Sequence, residues 1–460
     1  MKDNLAEMIK RAKEAQMIIE YWPQERVDEM VAAVGWEAYK AENAMRCAEL
    51  AVEETGMGVV ENKFLKHRKK ALGTLRDLHG LKTTGVVEED RGRGIMKIAK
   101  PVGVIGVLAP VTNCTSTPSV NAITILKTRN AAIFAPHPRS KRASALAISF
   151  LRQGLREVGA PVDLLQCLSE PTKELSQQLM REVDLVLATG GSDMVKVAYS
   201  SGTPVYGVGQ GNATVIIDET ADIGDAAKKI FLGKTFDHGS SCSAENSVVI
   251  QEQIWDAVLD ALKMCGGYLC SAEEKTRLRA VMWPDDRINP KIVATSALSI
   301  ASAAGLTIPE GTKFLMVLGE KIGRDDPFSG EKLAPVLALW KYREFGEAVD
   351  LVEKITHFCG YGHSCGIHSF SEGHILELAT RIHVSRMMVR QSQSYGNSGD
   401  YTNGMPFSLT LGCGTWGGTI TSDNVTWKHF LNYTWVSTPI DPVIPDEDLI
   451  FGGHWKKFGK

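Results

Sequence analysis

The sequence has no apolar run approaching the ~18 residues of a membrane-spanning helix, so no such segment is expected. It has no excess of basic charge either. A net charge of −3 leaves no electrostatic footprint for nucleic acid, and there is no acidic tail. The nine cysteines are an odd number, which disfavours a fully paired disulfide framework and fits a reducing cytoplasm. None of them has metal-ligand spacing. Cys265 and Cys270 stand five apart and Cys359 and Cys365 six apart, so no metal site is expected. The stretch Met1–Lys10 alternates charged and apolar residues at helical spacing and lacks the apolar core of a signal peptide, which points to a cytoplasmic location. Internal repeats and low-complexity stretches are also missing, and the glycine pair of Thr189-Gly190-Gly191-Ser192 does not form a Gly-x-Gly-x-x-Gly fingerprint.

What is present is ordinary globular composition, 44% hydrophobic and 23% charged, in 460 residues, enough for two substantial domains. The first eighty residues are helical in pattern. Leu5, Met8, Ile9, Ala12 and Ala15 share one face, Val27, Met30, Val31, Val34 and Ala38 another, and residues 62–78 give a further helix. Residues 84–100 read as two extended segments around a polar turn, a hairpin. After Pro101, short apolar strands alternate with amphipathic helices, from Val102–Ala109 through Ala131–Ala135 and Asp184–Ala188 to Val215–Asp218. Strands separated by helices of this length imply parallel pairing and right-handed crossovers. A second such series starts near Ile230. The expected class is α/β with two Rossmann-like three-layer domains, 1–225 binding a dinucleotide and 226–425 carrying the chemistry, plus a C-terminal arm at 426–460.

One thiol stands apart. Cys242 lies in Phe236-Asp237-His238-Gly239-Ser240-Ser241-Cys242-Ser243, small and polar on both sides, at a helix-to-strand junction where a nucleophile stays reachable. The alternative is a buried, inert cysteine of the kind expected at Cys47, Cys167 and Cys270. Ligand signals fall at strand ends, as they do in doubly wound sheets. Thr189-Gly190-Gly191 opens a helix and can turn backbone N–H groups toward a pyrophosphate. His137, Arg139, Lys141 and Arg142 follow another strand and place cations at a helix start, where they oppose the helix dipole. A solvated helix start is one account of them, and an adenosine ribose or its 2′-phosphate is the other.

Taken in order, Thr112-Asn113, Lys127–Arg139, Ala188–Gly191, Gly207–Asn212, Phe236–Cys242, Glu331–Pro335 and Leu409–Gly418 resemble the CoA-acylating branch of the aldehyde dehydrogenase superfamily, from the first helix to about residue 435. The resemblance implies an aldehyde dehydrogenase-like fold, with the hairpin and C-terminal arm forming a homodimer or homotetramer. It implies that Cys242 is the nucleophile and that Asn113 holds the oxyanion together with the Cys242 N–H. Glu331 would bond the nicotinamide ribose, and Thr112, His137, Arg139, Thr189, Gly190 and Gly191 would lie along the dinucleotide, NAD or NADP. His363 matches a histidine that assists thiol transfer, although a histidine bonded only within the fold is an equal alternative.

The hydrolytic branch carries a glutamate that activates water where this chain has Val208. Valine is no base, so coenzyme A, a far better nucleophile than water near neutral pH, is the expected acyl acceptor. The loop after the strand at 385–389 is polar. Arg390, Tyr395 and Asn397, with Ser240 and Ser241 before the nucleophile, offer donors for a sulfonate or a carboxylate, unless Arg390 is a surface arginine in a merely polar loop; with the overall resemblance they imply a small anionic aldehyde, sulfoacetaldehyde first and succinate semialdehyde second. Two rivals stand beside this reading: a non-catalytic nucleotide-binding protein on the same fold, and a phosphate-ester reductase such as glutamyl phosphate reductase. The first would lack the thiol or Asn113, and the segment around Gly412 and Trp416 opposes the second.

Overall fold

The computed structural model describes residues 4–460. Four helices open the chain: α1 (Leu5–Ile19), α2 (Gln24–Tyr39), α3 (Ala41–Thr55) and α4 (Val60–Leu78). The Asn4 side chain caps α1 by accepting from the Glu7 N–H, and Leu5, Met8, Ile9, Ala12, Ala15 and Ile19 form its buried face. The apolar periodicity foretold three of the four. Helix α3 was not separated in the sequence, and it ends at Gly56 in the left-handed conformation that stops a helix.

A hairpin, β1 (Gly85–Asp90) with β2 (Ile95–Pro101), leads into the first parallel sheet. That sheet holds β3 (Val104–Ala109), β4 (Ala131–Pro136), β5 (Leu165–Cys167), β6 (Leu185–Thr189) and β7 (Val205–Val208) in the order β5-β4-β3-β6-β7. Every residue of β3 and β4 is buried, as strands covered on both faces must be. Between them run α5 (Ser116–Lys127), α6 (Lys141–Glu157), α7 (Lys173–Glu182) and α8 (Ser192–Tyr199). The chain winds outward from β3 to β5 and then returns to β6. The crevice beyond the carboxyl ends of β3 and β6 is therefore the switch point where such sheets bind ligands.

The second sheet has seven parallel strands: β8 (Ala213–Ile217), β9 (Glu245–Gln251), β10 (Gly267–Leu269), β11 (Phe314–Leu318), β12 (Val336–Tyr342), β13 (Cys365–His368) and β14 (Met387–Val389), in the order β10-β11-β12-β9-β8-β13-β14. One expectation is corrected here. The strand at 213–217 was grouped with the first series, whereas it pairs with β9 and β13 in the second sheet. Helix α9 (Ile223–Thr235) crosses from β8 toward β9, so the Cys242 segment lies at the amino edge of this sheet, facing the N-terminal helices. The C-terminal arm is a folded element. Its strand β15 (Leu431–Ser437) adds antiparallel to β2, and a helix follows at Glu447–Phe458.

Helices α2 and α6 cross closely at Gly154, where an added Cβ would lie 2.8 Å from the Ala33 carbonyl oxygen and 2.9 Å from the Val34 Cα. Those neighbours are backbone and cannot rotate away. Gly154→Val is expected to lower the midpoint of thermal unfolding by roughly 3–6 °C; an unchanged midpoint would show that the helices can part without loss.

Candidate active site

The segment that carries Cys242 is held from outside itself. After α9 the chain makes a tight turn in which Asp237 (φ 51°), His238 (φ 54°) and Gly239 (φ 69°) all take left-handed backbone. For the two non-glycine residues this is strained, and surrounding contacts must enforce it. Asp237 supplies them. Its buried carboxylate accepts from the Val59 N–H (2.9 Å), Lys63 Nζ (3.1 Å), Lys66 Nζ (3.3 Å) and Ser240 Oγ (2.9 Å). The approach is so close that a Cβ on Gly58 would meet Asp237 Oδ1 at 2.0 Å. On its other flank the thiol's backbone is backed by Gly211, where a Cβ would lie 2.0 Å from the Cys242 carbonyl oxygen.

Lys66 links this clamp to Asn113. Its Nζ donates to Asn113 Oδ1 at 2.7 Å. An ammonium can only donate, so it fixes the amide with oxygen toward Lys66 and leaves the N–H₂ as the group available to a ligand. Cys242 and Asn113 meet at a cavity of about 400 Å³. Its wall includes Lys66, Lys69 and Lys70 of α4, Phe236, Ser241 and Tyr395.

Burial pushes the Cys242 thiol up to about 12; the nearby Glu331 and Cys413 add to the effect, while the Ser243 hydrogen bond and Arg386 oppose it. The resting group is therefore a thiol that must lose its proton on the way to reaction. Burial likewise raises Glu331 to about 7, although it accepts from the Gly211 N–H at 3.3 Å. Val208 ends β7 as a buried apolar side chain.

The structure brings Cys242, Asn113, Ser241 and Tyr395 to one cavity and sets three expected pocket residues apart from it. Arg390 follows β14 at the carboxyl edge of the parallel sheet, opposite the edge that bears Cys242. Its guanidinium donates to the Ser369 carbonyl (2.6 Å) and lies over Phe370. Its expected role as anchor of the anion is corrected accordingly. Ser240 turns its hydroxyl to Asp237, and Asn397 is buried, donating to the Gln393 backbone and side chain (3.0 and 2.9 Å). Neither lines the cavity. His363 is buried too. Its Nδ1 meets Ser364 Oγ at 2.8 Å, and burial lowers it to about 3, so the ring is neutral. The cations that do reach the cavity belong to α4, which the sequence reading passed over. The available signal was a helix with lysines at 63, 66 and 70 on one face and Leu65 and Leu72 turned outward.

The expected dinucleotide residues gather at the carboxyl edge of the first sheet. Thr112 follows β3, His137 and Arg139 follow β4, and Thr189 ends β6 ahead of Gly190, Gly191 and the start of α8. Thr189 Oγ1 is 3.2 Å from Thr410 Oγ1. His137 Nδ1 accepts from the Arg139 N–H, and Arg139 donates to the Thr55 carbonyl. The charge at the start of α6 is offset by Glu54, whose carboxylate accepts from the Arg142 and Ala143 N–H groups (2.9 and 2.8 Å). A helix amino end at the switch point of a doubly wound sheet fits a dinucleotide pyrophosphate.

A thiol and an amide donor meeting beside such a crevice can form a covalent adduct with a carbonyl group and hold its oxygen. Comparison with known proteins decides the family, because the aldehyde dehydrogenase family profile matches residues 1–266. The chain belongs to the aldehyde dehydrogenase family. A sulfoacetaldehyde dehydrogenase of an Acholeplasma species is 50% identical to this family member over 98% of this chain and 94% of that one. The acylating sulfoacetaldehyde dehydrogenase of Bilophila wadsworthia is 45% identical over 99% of each. Among solved structures, the acetylating aldehyde dehydrogenase of Geobacillus thermoglucosidasius superposes with a TM-score of 0.93 at 37% identity, covering 96% of this chain and 98% of the other. The propionaldehyde dehydrogenase of Rhodopseudomonas palustris with bound propionyl-CoA superposes with a TM-score of 0.87 at 25% identity, over 95% of each chain.

Two outcomes test this geometry. Burial opposes ionisation of Asp237, but Lys66 and Lys63 outweigh it and hold the carboxyl at about 2, below the ~3.9 of an unfolded chain. A depressed value stabilises the fold above the unfolded value and stops doing so as pH falls through the folded one. Asp237→Asn should therefore cost about 3 kcal/mol at neutral pH, and the difference from the parent should shrink between about pH 4 and pH 2 in chemical unfolding. A pH-independent difference would contradict the clamp. Separately, the raised thiol value means that alkylation of Cys242 by iodoacetamide, read by mass spectrometry, should climb with pH without levelling off below about pH 9; a plateau near pH 6 would show a resting thiolate.

Proposed function

We propose that this chain is a CoA-acylating aldehyde dehydrogenase that converts a small anionic aldehyde, sulfoacetaldehyde, to its acyl-CoA. The observation that carries the reading is the meeting of Cys242 and the Lys66-oriented Asn113 amide at a cavity walled by lysines. Cys242 loses its proton and its sulfur adds to the aldehyde carbonyl carbon, giving a thiohemiacetal. The new oxyanion takes hydrogen bonds from Asn113 Nδ2 and the Cys242 backbone N–H, donors typically worth about 3 kcal/mol each in the transition state. A bound nicotinamide supplies the acceptor for the hydride that leaves this carbon, and a thioester on Cys242 remains. Thr112, Thr189, Gly190, Gly191 and Glu331 hold the cofactor near the thiol, and His137 and Arg139 serve its adenosine end, for NAD or NADP.

The thioester then passes to the CoA thiol. The sulfur of CoA attacks the acyl carbon, Cys242 departs and recovers a proton, and the aldehyde's carbonyl carbon ends as an acyl-CoA. Water is the poorer acceptor, because the position of the hydrolytic base is the buried Val208. Succinate semialdehyde is the second substrate to weigh, since the same cations suit a carboxylate. The three-stranded β1-β2-β15 sheet, the terminal helix and the segment joining them expose Trp435, Val443, Ile444, Leu449 and Ile450, an apolar surface that we assign to contact between copies of the chain in a homodimer or homotetramer.

Purified protein supplied with sulfoacetaldehyde, CoA and either dinucleotide should form reduced cofactor and acyl-CoA together. Omitting CoA should leave only slow turnover, and Cys242→Ala should abolish both products. Rapid turnover without CoA, or unchanged turnover in the variant, would overturn the reading.

A further inference from the structure

Helix α4 turns Lys63, Lys66, Lys69 and Lys70 toward the nucleophile loop and the cavity, three or four residues apart and therefore on neighbouring positions of one face. Like charges so placed repel, and burial makes the repulsion stronger. Among the described residues, two carboxylates form ion pairs with these lysines. Asp237 is shared by Lys63 and Lys66, and Asp400 pairs with Lys69 at 2.5 Å. Lys70 is bound by neutral groups, the Ser398 carbonyl (3.0 Å), Ser398 Oγ (2.7 Å) and the Gly399 carbonyl (2.7 Å). Burial lowers Lys70 to about 7, and it is left without an ion pair.

The donors divide unequally. The three acceptors of Lys70 occupy its N–H groups, so it offers the cavity no further hydrogen bond. Lys66, 9% exposed, commits two N–H groups, to Asn113 and Asp237, and Lys69 commits one, to Asp400. Both line the cavity with donors to spare among the described residues. Resting on the acylating reading above, we infer that Lys66 and Lys69 form the anion subsite and that Lys66 selects aldehydes whose anionic head sits on the carbon next to the carbonyl.

The reason is position. Lys66 bonds the same amide that serves the oxyanion, so its remaining donor lies beside the reacting carbon. A sulfonate on the adjacent carbon is held there while the carbonyl faces Asn113. A head group one carbon further away, as in succinate semialdehyde, overshoots Lys66 and falls to Lys69, which is less buried and stands over the Tyr395 and Tyr401 rings. Tetrahedral sulfonate oxygens suit two separate ammoniums as well as a bidentate fork.

The test compares kcat/KM for sulfoacetaldehyde, succinate semialdehyde and acetaldehyde in the parent, Lys66→Met and Lys69→Met. Ratios within one protein are independent of the fraction folded. Lys66→Met should lower the sulfoacetaldehyde-to-acetaldehyde ratio by roughly 30-fold, the loss expected for a desolvated charge-assisted contact, while Lys69→Met should affect succinate semialdehyde more than Lys66→Met does. A sulfoacetaldehyde ratio that stays within about twofold of the parent in Lys66→Met would overturn the inference and leave Lys66 as a positioning residue for Asn113 alone. Calorimetric binding of 2-hydroxyethanesulfonate, which cannot react, to Cys242→Ala separates the two levels. Binding lost on adding Lys66→Met supports the subsite whatever the reaction proves to be. No binding to Cys242→Ala, in a protein whose parent still acylates CoA from acetaldehyde, sinks the subsite and spares the acylating function.

Discussion

The buried carboxylate of Asp237 is the contact on which the site depends. It lies in the loop that delivers Cys242, yet three of its four donors, the Val59 N–H, Lys63 and Lys66, come from the start of α4 in the N-terminal helical layer. The fourth, Ser240, stands two residues before the thiol. One side chain therefore joins the amino edge of the seven-stranded sheet to the helices packed on the other domain and enforces left-handed backbone at 237 and 238. Because Lys66 also bonds Asn113, the spacing between Cys242 and Asn113 is set by the same cluster.

That cluster explains why α4 is inverted. Lysines face inward while Leu65 and Leu72 are 57% and 41% exposed at the cavity mouth, an arrangement that disfavours folding unless something else requires it. Part of the requirement is structural, since Asp237 and Asp400 need partners. The rest is chemical, because Lys66 and Lys69 keep N–H groups free to meet an anion in the cavity. The same cavity wall thus steadies the nucleophile loop and attracts an anionic substrate, while Val208 withholds the base that would send the thioester to water.

Much of this was legible in the sequence. The alternation of buried strands and amphipathic helices announced two parallel sheets because period and length are local properties. The thiol stood out by its small, polar neighbours, and the ordered motifs assigned Asn113 to it. Two features were not legible, and both are tertiary. Strand 213–217 looks the same whichever sheet it joins, since a fully buried strand carries no mark of its partners. Arg390 drew attention as a cation in a polar loop, but the loop leaves the carboxyl edge of the sheet and the thiol lies at the amino edge. The lysines that reach the cavity are some 170 residues earlier than the thiol, as in the pair Lys66 and Asp237, and only packing brings them there.

The account's central claim is that helix α4, through Lys66, sets both the oxyanion donor and the anion of the substrate against Cys242. The most direct measurement is a crystal structure of the Cys242→Ala protein soaked with 2-hydroxyethanesulfonate. The account predicts the sulfonate within hydrogen-bond distance of Lys66 and Lys69, with the hydroxyl carbon beside Asn113. A sulfonate held at Arg390, or anywhere at the carboxyl edge of the seven-stranded sheet, would contradict it.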